Sequence, residues 1–297
     1  MYDLIIIGAG PAGLTAALYA LRANKKILIL EAKNYGGQII NASKIENYPG
    51  IPNVSGFEYA TILYNQVMEF KPDFKYEKVC EIKKDKTVIT ANGEYIAKAI
   101  IIATGAENKK LGLIEEEKYI GRGVSYCATC DGNFYKDKIV AVVGGGNTAL
   151  TDAIYLSDIA SKVYLIHRKD TFKGEERYLN QINKKTNIEL ILNSNVIGLS
   201  GNSFLENIEI ADYNQDRKKI EVNGLFIAIG QEPQNKIFSN LIELDCLGYV
   251  KSIDGIHTNV EGIYVAGDTR VKELRQLVTA TSDGAITATI AINEMGK

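Results

Sequence analysis

The sequence predicts an α/β protein built from two nucleotide-binding domains of the same architecture, with one domain inserted into the other. A unit of strand, glycine loop, helix and strand occurs twice, and each copy closes with an apolar strand that ends at a glycine. The last part of the chain has an apolar strand but no complete nucleotide unit of its own. The 297 residues suffice for two domains, each with its own hydrophobic core.

The first copy begins with the apolar run at residues 4–7, which has the pattern of a buried parallel strand. The loop at 8–13 reads Gly-Ala-Gly-Pro-Ala-Gly, and a helix is predicted from residue 14 to about residue 22. The second strand, at 27–30, leads to Glu31. Glycines at this spacing make a tight turn and let a pyrophosphate reach the N-terminus of the helix, so this loop predicts a dinucleotide site.

The second copy repeats this order. A strand is predicted at 139–143, followed by the loop 144–149 with the sequence Gly-Gly-Gly-Asn-Thr-Ala. Alanine at the third glycine position is a substitution that the dinucleotide motif allows. A helix is predicted at about 150–156, and the strand at 163–166 leads to His167. We therefore expect a second dinucleotide site of the same design.

The two copies also agree in register. Glu31 lies 23 positions after Gly8, and His167 lies 23 positions after Gly144. The strands that close the copies end at Gly105 and at Gly230. Two nucleotide-binding domains with Rossmann-like topology explain this match.

The C-terminal segment predicts how the domains are connected. Its apolar strand, in Gly-Ile-Tyr-Val-Ala-Gly-Asp at 262–268, must pack against another sheet, and a return to the first domain is the simplest solution. We expect linkers near 109–111 and 235–240. The predicted first domain is 1–110 with 240–297, and the predicted inserted domain is 111–239.

Composition narrows the classes of partner. The formal net charge is −2, which predicts no general attraction to nucleic acid or to an anionic membrane. No apolar run approaches the length that a membrane span needs, and Asp3 interrupts the start where a secretory signal would be apolar. We therefore expect a cytoplasmic protein with neither membrane nor nucleic-acid partners.

The residues after the second strands distinguish the two dinucleotide sites. The Glu31 carboxylate suits the ribose diol of FAD or NAD. The second copy instead has a cationic group, which would attract the 2′-phosphate of NADPH, although Glu175 and Glu176 nearby weaken that attraction. The predicted NADPH-binding residues are Gly144, Gly146, Asn147, Thr148, Ala149, His167, Arg168, Lys169 and Lys173.

FAD is assigned to the first domain because further polar and glycine-rich segments accompany that copy. Gly-Gly-Gln at 36–38 and Glu-Asn-Tyr-Pro-Gly at 46–50 follow the Glu31 strand. Gly267 and Asp268 follow the returning strand and could meet the ribityl chain or the pyrophosphate. A site completed by a distant segment fits a large, extended cofactor.

Cys127 and Cys130 form a Cys-Ala-Thr-Cys motif just before the second copy. This spacing permits a disulfide that exchanges electrons with a flavin or with another disulfide. Asp131 could donate or accept the proton that thiol chemistry requires. We predict these three residues to be catalytic.

The remaining cysteines do not suggest a metal site. His167 and His257 are not spaced as a second ligand pair beside the Cys-x-x-Cys motif, so we predict no zinc and no other metal. Cys80 and Cys246 stand alone in apolar surroundings, where we expect core or near-core positions.

Several of these segments together resemble the low-molecular-weight, bacterial-type thioredoxin reductases, and the resemblance covers essentially the whole chain in order. The most specific segment is Cys-Ala-Thr-Cys-Asp-Gly at 127–132, preceded by Gly-Arg-Gly-Val-Ser-Tyr at 121–126. The family usually has arginine where this chain has Lys169 and Lys173, which puts the strength of the NADPH preference in doubt. The residue patterns and the resemblance together predict FAD contacts by Gly8, Gly10, Pro11, Ala12, Gly13, Glu31, Ala32, Gly37, Gln38, Asn47, Val79, Thr104, Gly105, Gly267, Asp268, Arg275, Gln276 and Leu277.

The resemblance implies a homodimer in which NADPH reduces FAD, the flavin reduces Cys127–Cys130, and the dithiol reduces thioredoxin or a thioredoxin-like protein. It also implies that the inserted domain rotates between the two half-reactions. Which cysteine attacks the partner stays open. Two alternatives remain: a thioredoxin reductase that takes its electrons from ferredoxin, and a flavin-binding redox sensor without steady turnover.

Overall fold

The computed structural model describes residues 1–42, 44–51 and 53–296, so Lys297 at the end of the predicted first domain lies outside the described residues. These residues form two compact units. The first comprises Met1–Glu107 and Glu232–Lys297, and the second comprises Asn108–Gln231. The fold class is confirmed: both units are built on parallel sheets with helices, and the second interrupts the first.

The first unit begins with a strand–loop–helix–strand order and continues into an antiparallel arm. Its elements before the insertion are β1 (Tyr2–Ile7), α1 (Pro11–Arg22), β2 (Ile27–Glu31), α2 (Gly56–Met68), β3 (Asp73–Tyr76), β4 (Val79–Ile82), β5 (Thr87–Thr90), β6 (Gly93–Ile102) and β7 (Ala106–Asn108). Short 3₁₀ turns, Gly37–Asn41 in this part of the chain among them, connect some of the elements.

The second unit contains a parallel sheet and a three-stranded antiparallel sheet. Its elements are α3 (Glu116–Tyr119), β8 (Val124–Ser125), α4 (Ala128–Asp131), β9 (Ile139–Val143), α5 (Asn147–Ser157), β10 (Lys162–Ile166), α6 (Glu176–Ile182), β11 (Ile188–Ile191), β12 (Asn195–Ser200), β13 (Asn207–Ala211), β14 (Arg217–Glu221) and β15 (Gly224–Ile227). The parallel sheet has the order β11-β10-β9-β15-β8. The antiparallel sheet has the order β12-β13-β14.

The chain then returns to the first unit through β16 (Gln231–Pro233), β17 (Ile263–Val265) and α7 (Leu277–Met295). Strand β17 lies parallel to β6, with Ile263 opposite Ile100, so the returning strand completes the first sheet as expected. The main sheet has the order β3-β2-β1-β6-β5-β4, and β7 pairs with β16 where the chain leaves the first unit and returns to it.

Buried aliphatic strands explain both parallel sheets. The β1 residues Leu4, Ile5 and Ile6 are fully buried, as are Val140, Ala141 and Val142 of β9. Strands buried on both faces become continuous apolar runs, which is the pattern seen in the sequence. The stabilisation comes from removing these side chains from water on both faces of each sheet.

Both nucleotide-loop helices begin earlier than predicted. Helix α1 starts at Pro11, directly after the loop residue Gly10, and α5 starts at Asn147, directly after Gly146. Proline is favoured in the first helical turn because its missing N–H would have no helical partner there. The glycine loops therefore end at free helix N-termini, which is where an anionic group binds best.

The observed boundary of the second unit also differs from the predicted one. The segment from Glu232 onward belongs to the first unit, whereas the sequence placed residues up to 239 in the inserted domain. Asn235 is fully buried and bonds Thr104 and Thr269, and Phe238 packs with Ile100 in the core of the first unit. This polar anchor binds the second linker to the first unit.

Candidate active site

The first glycine loop is shaped by close backbone contacts. Gly8 has φ +105°, and a Cβ atom there would lie 2.3 Å from the carbonyl oxygen of Ala103. A Cβ atom on Gly13 would lie 1.9 Å from the carbonyl oxygen of Gly8, so α1 could not approach the loop with any side chain there. These contacts place the N-terminus of α1 at the carboxyl ends of β1 and β6, the edge at which such sheets bind ligands.

Glu31 connects the end of β2 to this loop. Its Oε2 accepts a hydrogen bond of 2.7 Å from the amide of Ala9, and its Oε1 accepts one of 2.8 Å from the amide of Lys33. Gly37 approaches the same loop, because a Cβ atom there would lie 3.3 Å from Cα of Gly10. The structure thus brings Glu31, Gly37 and the glycine loop together.

The returning chain adds a second wall to this site. Gly267 has φ +80°, and its Cβ position would lie 2.7 Å from Cβ of Ala12 at the start of α1. Asp268 follows, and its Oδ1 is buried without a hydrogen-bond partner among the described residues. Burial raises the pKa of Asp268 to about 6, although Lys272 and Arg275 act in the opposite direction. Oδ1 lies 3.8 Å from the Lys272 ammonium, beyond hydrogen-bond distance, so it can still accept a hydrogen bond from a ligand hydroxyl group.

Five more of the predicted residues of the first unit divide into two groups. Asn47 donates to Gln276 at 3.0 Å, and Arg275 donates to the Asp268 carbonyl at 3.4 Å, so these residues lie together near Asp268. The side chains of Val79 and Leu277 instead pack into the hydrophobic cores, which leaves only their backbone groups to meet a ligand. The role of each residue as a cofactor contact stays a prediction.

The sequence analysis missed Asp283 of α7. Its carboxylate accepts hydrogen bonds from the amide of Gly267 at 3.0 Å, from Arg270 at 2.9 Å and from Lys272 at 2.9 Å. Burial alone would raise the pKa of Asp283, but the bonds from Arg270 and Lys272 outweigh it and hold the pKa below its usual range. A signal existed, since Asp283 is the lone charged residue between Leu277 and Ile292.

In the second unit, the loop at 144–146 lies directly on His167. A Cβ atom on Gly145 would lie 2.1 Å from the imidazole ring, so only glycine fits there. His167 is 8% exposed, its Nε2 has no partner among the described residues, and its ring stacks on Phe172. Burial lowers the pKa of His167, and the neighbouring cations Arg168, Lys169 and Lys173 act in the same direction.

The basic segment after β10 is tied to the same loop. The amides of Lys173 and Gly174 donate to the Gly145 carbonyl at 2.7 Å and 3.1 Å. Asn147 bonds the backbone and the carboxylate of Glu175, at 2.8 Å and 2.9 Å. The Arg168, Lys169 and Lys173 side chains are exposed, so the structure places a cationic group beside the second helix N-terminus.

Cys127 and Cys130 form a disulfide with an S–S distance of 2.05 Å and a Cα–Cα distance of 5.3 Å. Cys127 precedes the short helix α4, whose backbone closes through a bond of 3.1 Å from the amide of Asp131 to the carbonyl of Cys127. The Asp131 carboxylate accepts a bond of 2.7 Å from the hydroxyl of Ser125. The structure therefore brings all three predicted catalytic residues together in one unit.

The prediction for the other two cysteines is wrong. Cys80 and Cys246 are free thiols and both are exposed. Cys80 lies on β4, where Val79 and Ile82 take the buried positions, and Cys246 lies in the turn between Asp245 and Tyr249. Apolar neighbours in sequence do not bury a residue whose own position faces solvent. Within the described ranges, no three His, Cys, Asp or Glu side chains are grouped as metal ligands, and no helix is long and apolar enough to cross a membrane.

Two nucleotide-type loops and a Cys-x-x-Cys disulfide define an oxidoreductase that couples dinucleotide and disulfide chemistry. Residues 2–284 match the family of pyridine nucleotide-disulphide oxidoreductases. The chain is 40% identical to the thioredoxin reductase of Treponema pallidum, covering 97% of this chain and 95% of that protein. It is 41% identical to the thioredoxin reductase of Bacillus subtilis, covering 97% and 93%.

A solved structure shows the same similarity. The thioredoxin reductase of Streptococcus pyogenes matches with a TM-score of 0.93 and 39% identity, covering 100% of this chain and 98% of that chain. This chain therefore belongs to the pyridine nucleotide-disulphide oxidoreductases and, within them, to the bacterial-type thioredoxin reductases. Membership implies a flavin and a pyridine nucleotide as cofactors.

Proposed function

We propose that this protein is an NADPH-dependent thioredoxin reductase, with FAD in the first unit, NADPH in the second and Cys127–Cys130 as the electron donor to thioredoxin. The observation that carries the proposal is the Cys127–Cys130 disulfide, which lies in the same compact unit as a complete dinucleotide loop. A structural disulfide would not need that setting, nor an adjacent hydrogen-bonded carboxylate such as Asp131.

The residues of the first unit fit FAD. Gly8 and Gly10 would hold the pyrophosphate at the start of α1, and Glu31 would hold the adenosine ribose. Asp268, whose Oδ1 accepts no hydrogen bond from the described residues, would bond hydroxyl groups of the ribityl chain. When bound, FAD supplies a centre that accepts a hydride from a nicotinamide and passes the two electrons on to a disulfide.

The second unit fits a dinucleotide with a 2′-phosphate. Gly144 and Gly146 leave the N-terminus of α5 open to the pyrophosphate, and Gly146 has open space around its Cβ position. Arg168, Lys169 and Lys173 would attract the 2′-phosphate by charge. Lysine lacks the two-pronged guanidinium contact, so most of the discrimination would come from Coulomb attraction.

The cysteine pair would act by thiol–disulfide exchange. A thiolate of the reduced pair attacks the partner disulfide, and the second cysteine resolves the mixed disulfide. Two electrons and two protons leave the pair, and the Cys127–Cys130 bond forms again. Asp131, next to Cys130 in sequence, would exchange one of these protons with the thiol or with the leaving sulfur.

We also propose that the protein is a homodimer in the cytoplasm. The exposed face of α7 carries Val278, Ser282, Ile286 and Thr289 with no charged side chain between them. An uncharged helix face in an otherwise charged surface suits burial against a second copy. The exposed free thiols fit a reducing compartment, where they persist unoxidised.

The proposal is tested by mixing the purified, FAD-loaded protein separately with NADPH, NADH and reduced ferredoxin, each with oxidised thioredoxin. We expect steady thioredoxin reduction with NADPH. Turnover with ferredoxin alone would instead identify a ferredoxin-dependent reductase. Flavin reduction without turnover of any disulfide would identify a sensor.

A further inference from the structure

Ser125 connects two parts of the redox segment through a single hydroxyl group. It is the last residue of β8, two positions before Cys127, and it is 5% exposed. Its Oγ accepts a hydrogen bond of 3.1 Å from the amide of Cys127. The same hydroxyl donates to Oδ2 of Asp131 at 2.7 Å.

The lengths of these bonds indicate to which acceptor the Ser125 hydroxyl donates its hydrogen bond. A serine hydroxyl has one proton to donate, and its two acceptors are Asp131 at 2.7 Å and the carbonyl of Cys127 at 3.3 Å. The bond to the carboxylate is charge-assisted and shorter, so the proton points to Asp131. The hydroxyl thereby fixes the carboxylate relative to the backbone that carries Cys127.

The strand beneath Ser125 makes this anchor rigid. Ser125 pairs with Phe226 of β15, and Phe226 is 1% exposed. The Asp131 charge also acts on the Tyr135 phenol. Burial raises the pKa of Tyr135 to about 12, and the Asp131 charge acts in the same direction, so the phenol stays neutral near pH 7.

We propose that Ser125 is a positioning residue for thiol–disulfide exchange, which holds the Asp131 carboxylate ready to exchange a proton with the Cys127–Cys130 pair. This inference rests on the proposed function, in which the reduced pair loses two protons and two electrons to a partner disulfide. Without the hydroxyl, Asp131 keeps its chemistry but loses the bond that ties its carboxylate to the backbone of Cys127. Misplacement of a reacting group commonly costs a factor of about 10–100 in rate.

The test measures the Cys127–Cys130 thiols directly, without a nicotinamide or thioredoxin. The FAD-loaded protein is reduced with a phosphine and alkylated with iodoacetamide across a range of pH, and mass spectrometry follows each cysteine separately. The exposed thiols Cys80 and Cys246 report the reagent's own pH dependence in the same sample. Wild type, Ser125→Ala, Asp131→Asn and the double variant are compared.

A nearby carboxylate raises the pH at which a thiol ionises. We therefore expect Asp131→Asn to lower the alkylation midpoint of the pair, and Ser125→Ala to lower it part of the way. Because Ser125 acts through Asp131, the double variant should match Asp131→Asn. The same pattern is expected for the rate of thioredoxin reduction, where Ser125→Ala should lose a factor of about 10–100.

Two further comparisons separate positioning from folding. Ser125→Thr and Ser125→Val have nearly the same volume and differ in the hydroxyl, so we expect the threonine variant to be the closer of the two to wild type in midpoint and in rate. Ser157→Ala removes another buried serine of the same unit, whose hydroxyl donates to Ile154, and should leave both values unchanged.

Two outcomes would overturn the role of Ser125. One is equal effects of the threonine and valine variants. The other is that Ser125→Ala causes the same loss of rate in the Asp131→Asn background as in the wild type. A protein that reduces no disulfide but shows the predicted midpoints would refute the proposed function alone.

Discussion

At the scale of single residues, the second nucleotide site depends on the close packing of His167 against Gly145. His167 occupies the volume that a side chain on Gly145 would need, and the Lys173 amide holds the Gly145 carbonyl from the other side. The loop is therefore fixed by contacts within the unit. The exposed cations of the same segment remain available for a ligand.

The preference for NADPH should reside in these cations. Replacing Arg168, Lys169 and Lys173 together by glutamine should raise the KM for NADPH far more than the KM for NADH, because each lost charge-assisted contact costs about 1.5–3 kcal/mol. The measurement is a steady-state comparison of both nucleotides. Lys184→Gln, an exposed lysine of the same unit, is the control. Equal use of NADH and NADPH by the unaltered protein would contradict the assignment.

Much of this site could be predicted from sequence, because a glycine loop between a strand and a helix has few alternatives. The hydrogen bond from Ser125 to Asp131 could not be predicted from the sequence, because it depends on how β8 pairs with β15 in the sheet. Asp283 was missed for a similar reason. Its bond to the Gly267 amide requires α7 to pack beside the returning strand, and no local pattern specifies that contact.

At the scale of elements, a histidine connects helix α7 to the turn before β17. His257 Nδ1 lies 2.7 Å from Asp254 Oδ2, and its Nε2 lies 3.0 Å from Glu294 Oε1. The bond to Asp254, followed by the one to Glu294, raises the pKa of His257 above its usual range. The amide of His257 contributes most to lowering the pKa of Asp254 to about 2. Both carboxylates are thus paired best when the imidazole is protonated.

This arrangement makes part of the stability depend on pH. The pKa of His257 is higher in the folded state, so its stabilising contribution is complete below the unfolded value of about 6.5 and is lost as the pH rises through the folded value. His257→Gln should therefore lower the melting temperature by about 2–4 °C near pH 6 and by less near pH 9. Thermal unfolding of both proteins across this range tests it, and a difference independent of pH would refute it.

The C-terminal helix also shows why burial was harder to predict than fold. Its small residues allow close packing on α1, since a Cβ atom on Gly284 would lie 2.2 Å from the Ala12 carbonyl oxygen. The opposite face of α7 is exposed and also uncharged, with Val278 and Ile286 among its residues. Sequence periodicity alone does not show which of these two faces meets the core. The exposed positions of Cys80 and Cys246 illustrate the same limit.

The exposed face of α7 gives a test of assembly. Ile286 is 47% exposed in the single chain. If a second copy covers it, Ile286→Glu should produce a monomer by light scattering, while Asn293→Asp at the end of the same face should have a smaller effect. A wild-type protein that is monomeric at high concentration would rule out the homodimer.

At the scale of the whole molecule, the chain crosses between the two units in β7 and again in β16. Strands β7 and β16 pair, and Gln231 donates to Asn108 at 3.0 Å. Gly105 and Gly230 flank this pair with positive φ angles and open space around their Cβ positions. A short pair of strands between glycines can absorb a rotation in a few residues.

We therefore predict that a crosslink between the two units stops turnover at one half-reaction. In the proposed mechanism the flavin meets the nicotinamide in one half-reaction and the cysteine pair in the other, and we expect each to need its own arrangement of the units. Depending on the locked state, NADPH would fail to bleach the flavin, or a bleached flavin would fail to reduce the disulfide. Absorbance of the flavin and thiol counting distinguish these cases. Full turnover by a sample shown by mass to be completely crosslinked would refute the rotation.

The central claim is that electrons reach thioredoxin through Cys127 and Cys130. The most direct measurement compares Cys127→Ser and Cys130→Ser with wild type in two assays: flavin bleaching by NADPH, and reduction of oxidised thioredoxin. Cys80→Ser and Cys246→Ser, which remove the exposed thiols, serve as controls. We predict that both variants of the pair keep flavin bleaching and lose thioredoxin reduction, while the controls keep both activities. A variant of the pair that still reduced thioredoxin at the wild-type rate would contradict the account.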